Sequence, residues 1–391
     1  MIYLDHAATT AMHPEAAGAM KIYYSENFAN ASGAYEIAAK PKKKIEEVRR
    51  VIASSIGAEP EEIYFTSGGT ESDNWALTGI TQMCGNGGHI ITSAVEHHAV
   101  LNTCAHLEKL GYDVTYLGVG SDGIISLEEL ENAVRDDTIL ISIMAANNEI
   151  GTVQPIEMIG KIARKHGVFF HTDAVQAYLH MPIDVGRFSI DCMSASAHKF
   201  QGPKGVGFLY LRKGISIEPF MIGGKQESGK RAGTENVAGI AGMGKAVEIG
   251  LMDLERSIYL RNLRDYLYFR LKEEIPFMYL NGSLKHRLPG NLNVSFKYVE
   301  GESLLILLDM EGICASSGSA CTTGQKEPSH VLKAVGLSDK MAKGSLRMTL
   351  GMENTIEEID FTVEKIRGFV EKLRESSDEY QSFIKQGLRS S

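Results

Sequence analysis

Ile63-Tyr64-Phe65-Thr66, running into Ser67-Gly68-Gly69-Thr70-Glu71, is the stretch on which the fold turns. Four β-prone residues read as a short strand, the glycines as a tight turn, and the residues on to Ala76 as the start of a helix. Backbone N–H groups of Ser67, Gly68, Gly69 and Thr70 would then sit at a helix N-terminus, where the dipole favours an anion such as phosphate. No Gly-Lys-Ser/Thr follows and no Gly-x-Gly-x-x-Gly is present, so this is neither a Walker loop nor a dinucleotide fingerprint. On its own, an ordinary turn with a Ser/Thr cap fits equally well.

Outward from this unit the same alternation repeats. Residues Ala38 to Ile56 read as a helix, with Ile45, Val48 and Ile52 spaced by three and four. Compact apolar runs at His89–Thr92, Ile139–Met144 and Val168–Thr172 look like buried parallel strands joined by crossover helices. Gly202-Pro203-Lys204-Gly205 reads as a turn feeding a strand over Val206–Leu211. From about Met252 the character changes to a long amphipathic helix, a strand over Asn291–Phe296, a Gly/Ser loop, and helix from Thr355 to Gln386. The pattern predicts an α/β fold, with a large domain over 13–255 and a smaller α+β domain from 1–12 and 256–391.

Composition excludes several function classes. A net charge of −9 over 391 residues argues against a nucleic-acid binder, which needs a basic surface. The run Lys40 to Lys44 lies among helix formers and reads as a solvated face. The start, Met1 to His6, lacks a basic region followed by an apolar one, so no signal peptide is expected. No apolar run approaches the roughly 20 residues that span a bilayer. Five cysteines at scattered spacings fit neither a disulfide framework nor a zinc finger. A cytoplasmic enzyme is the expected class.

Four further segments carry chemistry. His171-Thr172-Asp173-Ala174-Val175-Gln176 puts a carboxylate at the end of an apolar strand, where α/β sheets bind ligands. Ser194-Ala195-Ser196-Ala197-His198-Lys199 offers an amine which, held beside apolar walls, can form a Schiff base with a carbonyl. An acid such as Asp173 would keep a pyridine nitrogen protonated so that the ring withdraws electrons. Phosphate cradle, ring acid and lysine together describe a pyridoxal-phosphate site. Next, Ser316-Ser317-Gly318-Ser319-Ala320-Cys321 presents a lone cysteine among small residues, a loop rather than a core setting. The other four, Cys84, Cys104, Cys192 and Cys314, read as core residues. Last, Arg347 within Ser345-Leu346-Arg347-Met348-Thr349 could bind a carboxylate with its fork, a structural salt bridge being the alternative.

These segments resemble, in order and nearly end to end, the cysteine desulfurases of the NifS/IscS type, in the class-V aminotransferase branch of fold-type I pyridoxal-phosphate enzymes. The likeness includes Tyr3-Leu4-Asp5-His6-Ala7-Ala8-Thr9-Thr10, Thr66 to Ser72, Glu96-His97-His98-Ala99-Val100, Asn147-Asn148-Glu149-Ile150-Gly151 and Arg231-Ala232-Gly233-Thr234. It implies a large domain with a mainly parallel seven-stranded sheet. It further implies that Lys199 holds pyridoxal 5'-phosphate and shuttles a proton, that Asp173 holds the ring nitrogen, and that His97 stacks on the ring and serves in acid/base steps. Asn148 and Gln176 would bond the phenolic oxygen. Gly69, Thr70, Ser196 and His198 would contact the phosphate, joined by Thr234 from the second subunit of a homodimer.

Arg347, with Asn30, would grip the substrate carboxylate. Cys321 would take sulfur from L-cysteine as a persulfide, release alanine and pass the sulfur to an acceptor protein, such as an iron–sulfur scaffold or a thiolation protein. No intrinsic metal is implied, with Cys321 able to ligate an iron–sulfur cluster transiently beside a scaffold partner. The resemblance implies no nucleic-acid or membrane partner. A selenocysteine lyase and a plain class-V aminotransferase are the alternative enzymes; a non-catalytic or redox-sensing relative is the alternative of a different class. Asn30-Ala31-Ser32-Gly33 replaces the family's usual Asn-Pro-Ser-Ser, and Tyr178-Leu179-His180 replaces a small, glycine-containing stretch.

Overall fold

A computed structural model describes residues 1–85, 87–253, 255–317 and 328–387. The chain opens with a short strand β1 (Ile2–Tyr3), and the strands that follow build the main sheet. They are β2 (Ile63–Thr66), β3 (His89–Ser93), β4 (Asp113–Leu117), β5 (Thr138–Ser142), β6 (Phe169–Asp173), β7 (Cys192–Ser196) and β8 (Gly207–Leu211). Their spatial order is β2-β8-β7-β6-β5-β3-β4. The pairs from β4 across to β7 are parallel, and β8 runs antiparallel to both β7 and β2. The expected seven-stranded, mainly parallel sheet is therefore present. Every residue of β3, β7 and β8 is buried, which follows from helices covering both faces of such a sheet.

The helices are specified locally. Ala39–Ile56 buries Ile45, Val48, Ile52 and Ile56 on one stripe and ends at Gly57, whose φ of 71° is the left-handed C-cap that glycine takes without strain. Lys40, Lys42 and Lys43 on this helix are exposed, as a solvated face requires.

After the helices Val237–Met252 and Arg256–Glu274 come β9 (Met278–Leu280), β10 (Asn291–Phe296), β11 (Ile313–Cys314) and β12 (Ser345–Thr349). β12, β10 and β9 form an antiparallel sheet, and β1 returns from the N-terminus to pair in parallel with β11. A separate apolar cluster packs around them, from Leu4 through Leu267, Phe296 and Leu346 to Val370. The expected single helix from Thr355 to Gln386 is two, Ile356–Glu375 and Asp378–Gly387. Ser376 and Ser377 separate them: Ser376 Oγ bonds Lys372 O, the local competition by which serine ends helices. Cys104 and Cys192 are buried and Cys314 is half-buried, but Cys84 is exposed. Its position explains the failed expectation, since it is the last residue of the helix Gly69–Cys84.

Candidate active site

Five of the segments singled out in the sequence converge at one edge of the main sheet, where β2, β3, β5, β6 and β7 all end. This C-terminal edge is where open α/β sheets bind ligands. There a cavity of about 300 Å³ is lined by residues that include Gly69, His97, Asn148, Asp173, Lys199 and Arg347. Thr70, Gln176, Ser196 and His198 line it too.

Each side chain is held by a local device. Asp173 ends β6 and its Oδ1 accepts the Val175 N–H at 2.9 Å, a turn that fixes the carboxylate at the strand terminus. Asn147 Oδ1 accepts from the N–H groups of Glu149 and Ile150, and its Nδ2 donates to Val95 O. That turn presents Asn148 to the cavity, and Gly151 closes it with φ 70°, where an added Cβ would meet Asn291 at 2.5 Å. His97 caps the helix His98–Lys109, its Nδ1 accepting from Ala99 N at 3.1 Å. The neutral ring therefore carries its proton on Nε2. Lys199 closes a turn of 3₁₀ helix directly after β7, and its Nζ donates to Ala7 O at 2.6 Å and Ala8 O at 2.8 Å. Gln176 Nε2 also donates to Ala7 O. The N-terminal segment thus crosses the mouth of the site, pinned further by Thr9 Oγ1 against His198 Nδ1 at 3.1 Å.

The electrostatics are set by burial. Asp173 is pushed up to about 7, chiefly by desolvation and then by the nearby charge of Asp73, with His97 pulling the other way. Asp73, one helical turn beyond the glycines, is likewise pushed up to about 7 by burial, and its Oδ1 has no hydrogen-bond partner among the described residues. Sequence reasoning missed Asp73; its only signal is a polar residue on the buried face of a helix that starts at a ligand site. Burial also lowers His97 below the usual imidazole range. Asp73, His97 and Asp173 bring ligand atoms within 4.8 Å of one another.

Arg347 Nη2 donates to Asp5 Oδ1 at 2.7 Å and Nη1 to Asn148 O at 3.1 Å, while the buried Nε has no partner among the described residues. The salt-bridge reading of Arg347 is therefore present in the structure, and the residue also lines the cavity. Asn30 is exposed and lies outside this lining, its Oδ1 accepting from Ser32 N. Thr234 is exposed too and lines a different cavity with Ser67 and Arg231. Cys321 falls outside the described residues.

These groups suit pyridoxal phosphate. A buried carboxylate with no cation bonded to it among the described residues matches a protonated ring nitrogen, and the primary amine matches an aldehyde. Gly69 sits so close to Val175 that an added Cβ would lie 2.5 Å from its Cγ2, so the helix start is packed down beside the cavity, and among the described residues no side chain caps it.

Comparison with known proteins agrees. The profile of the family Aminotransferase class-V matches residues 2–361. Cysteine desulfurase IscS of Dictyoglomus turgidum is 51% identical over 375 residues, covering 95% of each chain. Its counterpart from Methanosarcina thermophila is 54% identical over 378 residues, covering 96% of this chain and 93% of the relative. The chain belongs to the cysteine desulfurases of the class-V aminotransferase family. Among solved structures, a NifS-like protein superposes with a TM-score of 0.89 at 38% identity, over 95% of this chain and 99% of its own. SspA in complex with cysteine superposes with a TM-score of 0.81 at 39% identity, over 90% and 99%. Family membership brings pyridoxal-phosphate dependence as the family's property. Among the described residues no helix is long and apolar enough to cross a membrane.

Proposed function

We propose that this chain converts L-cysteine and its own thiol, Cys321, to L-alanine and a Cys321 persulfide, using pyridoxal 5'-phosphate. The observation that carries the reading is the meeting of Lys199, Asp173, His97 and Arg347 on one cavity at the sheet's C-terminal edge. Bound pyridoxal phosphate supplies an electron sink, which weakens the bond between the substrate's Cβ and sulfur.

The chain's own residues do the rest. Lys199 Nζ carries the cofactor aldehyde and moves a proton to and from the substrate Cα. Asp173 holds the ring nitrogen, whose positive charge favours the ionised carboxylate that burial opposes. His97 would lie beside the bound cofactor, and Asn148 and Gln176, on the same cavity, would bond its phenolic oxygen. The helix start at Gly69 and Thr70, with Ser196 and His198, holds the phosphate; Thr234 comes from a second copy of the chain. Arg347, which lines the cavity, takes the substrate carboxylate with its guanidinium, aided by Asn30. The thiolate of Cys321 attacks the substrate sulfur: an S–S bond forms, the Cβ–S bond breaks, and a proton delivered to Cβ completes alanine. A cytoplasmic sulfur-acceptor protein, an iron–sulfur scaffold or a thiolation protein, then receives the outer sulfur.

Incubation with L-cysteine and dithiothreitol tests this. Equal amounts of alanine and sulfide are expected from the wild type, and neither from Cys321→Ser. Undiminished sulfide from the variant removes Cys321 from the reaction, and turnover with a keto acid but no sulfide identifies an aminotransferase instead.

A further inference from the structure

A second cavity, of about 50 Å³, shares Ala7, Gln176 and Lys199 with the first but is otherwise lined by different groups, among them His6, His180 and Arg256. Arg256 is 8% exposed, yet its Nε has no hydrogen-bond partner among the described residues. Asp253 and Glu353 act on its charge through space only; Asp253 spends a carboxylate oxygen on the Arg256 backbone N–H. His180 stands in the segment where the sequence departs from its family, and both its ring nitrogens are closed off from solvent and without a partner among the described residues. The preceding residue, Leu179, is held at φ 62°, the left-handed region that favours glycine. Among the described residues, then, backbone strain lies beside a histidine ring with no hydrogen-bond partner and a buried cation with no bonded counter-charge.

A buried guanidinium without a paired anion costs several kcal/mol, and buried charges in folded proteins are paired. Burial and the Arg256 charge keep His180 neutral, at about 3, so its ring brings no charge to the cavity wall. Burial likewise lowers His6. Two cationic side chains, Arg256 and Lys199, among otherwise uncharged lining groups in a small chamber suit a compact anion. Roughly 10–15 Å³ admits one water on the same measure, so the chamber of about 50 Å³ holds roughly three to five water-sized bodies. That suits a halide or hydrosulfide and is too small for an amino acid.

We propose that this cavity binds a small inorganic monoanion between Arg256 and His180, beside the Lys199 cavity and separate from the substrate carboxylate site at Arg347. Chloride from the medium and hydrosulfide released when a thiol reduces a persulfide present the same chemistry.

Crystals of the holoenzyme soaked in sodium bromide test the site. An anomalous peak in contact with the Arg256 guanidinium is expected in the wild type and absent in Arg256→Gln. Displacement of that peak by an equal concentration of sodium hydrosulfide marks the reaction product as the natural occupant; retention marks chloride. In solution, replacing gluconate by chloride at constant ionic strength should raise the wild-type Tm by roughly 2–4 °C and leave Arg256→Gln unmoved. If Arg256→Gln does not fold, the wild-type bromide density and the chloride–gluconate comparison decide alone. Ordered water in place of bromide, or a Tm indifferent to chloride, overturns the proposal.

Discussion

Glu96 accepts from Ser93 Oγ at 2.6 Å and from Met144 N at 3.0 Å, yet burial pushes its carboxyl up to about 8. The folded state therefore holds a proton that the unfolded chain, titrating near 4.3, releases. For an acid raised on folding, this contribution is whole below the unfolded value and is lost as pH rises through about 8. Between about pH 5 and 8 it makes stability fall by about 1 kcal/mol per pH unit. In Glu96→Gln, urea unfolding across that range should show a slope flatter by that amount; an identical slope means Glu96 ionises in the fold at its ordinary value. Arg347→Lys keeps the charge but removes the fork, so the KM for L-cysteine should rise about 10–100-fold with kcat less affected. An unchanged KM would take Arg347 off the substrate carboxylate. Lys199 and Asp173 were readable because an amine and a carboxylate at the ends of apolar strands each suggest one task, whereas His97 came only with the family resemblance. Asp73 and Glu96 were not, because a polar residue inside a helix or turn signals burial only once the packing is known.

Part of the main sheet was legible for a physical reason: parallel strands buried on both faces leave unbroken apolar runs, which mark β3, β5 and β6, whereas the count of seven strands came with the family resemblance. Helix ends were less legible, as the break at Ser376–Ser377 shows, because side-chain bonds to the backbone compete with the helix at single residues. Close approach between elements was invisible in the sequence, and Gly160 is the sharpest case. It lies buried in the helix Ile156–His166, and an added Cβ would stand 1.8 Å from the backbone oxygen of Phe188. Backbone cannot swing aside as a side chain can. Gly160→Ala should therefore cost about 3 kcal/mol or more, outweighing the roughly 1 kcal/mol that alanine gains in a helix. Gly368, exposed in the helix Ile356–Glu375 with nothing within 4 Å of an added Cβ, is the control: Gly368→Ala should stabilise by roughly 1 kcal/mol. Opposite signs in thermal unfolding are expected, and equal signs would mean the helix Ile156–His166 can move off Phe188.

At the scale of the molecule, the N-terminal segment joins what the two apolar clusters hold apart. Leu4 packs with the C-terminal cluster, Asp5 pairs with Arg347, and Thr10 bonds His198 beside Lys199. One copy of the chain still leaves Thr234 outside the Lys199 cavity. If a second copy supplies Thr234, each site is built from two chains, and lesions on different chains can compensate. Lys199→Ala alone should give an inactive dimer. Thr234→Val alone should lose a hydrogen bond to a charged phosphate, worth about 1.5–3 kcal/mol, and hold the cofactor at least tenfold more weakly. In a mixed dimer with subunit exchange, one site carries both lesions. The other pairs an intact Lys199 from the Thr234→Val chain with an intact Thr234 from the Lys199→Ala chain. That site should regain wild-type cofactor retention on dialysis, and half the wild-type activity per dimer. If Thr234 acts within its own chain, mixing leaves retention at the level of Thr234→Val, and the shared-site arrangement fails.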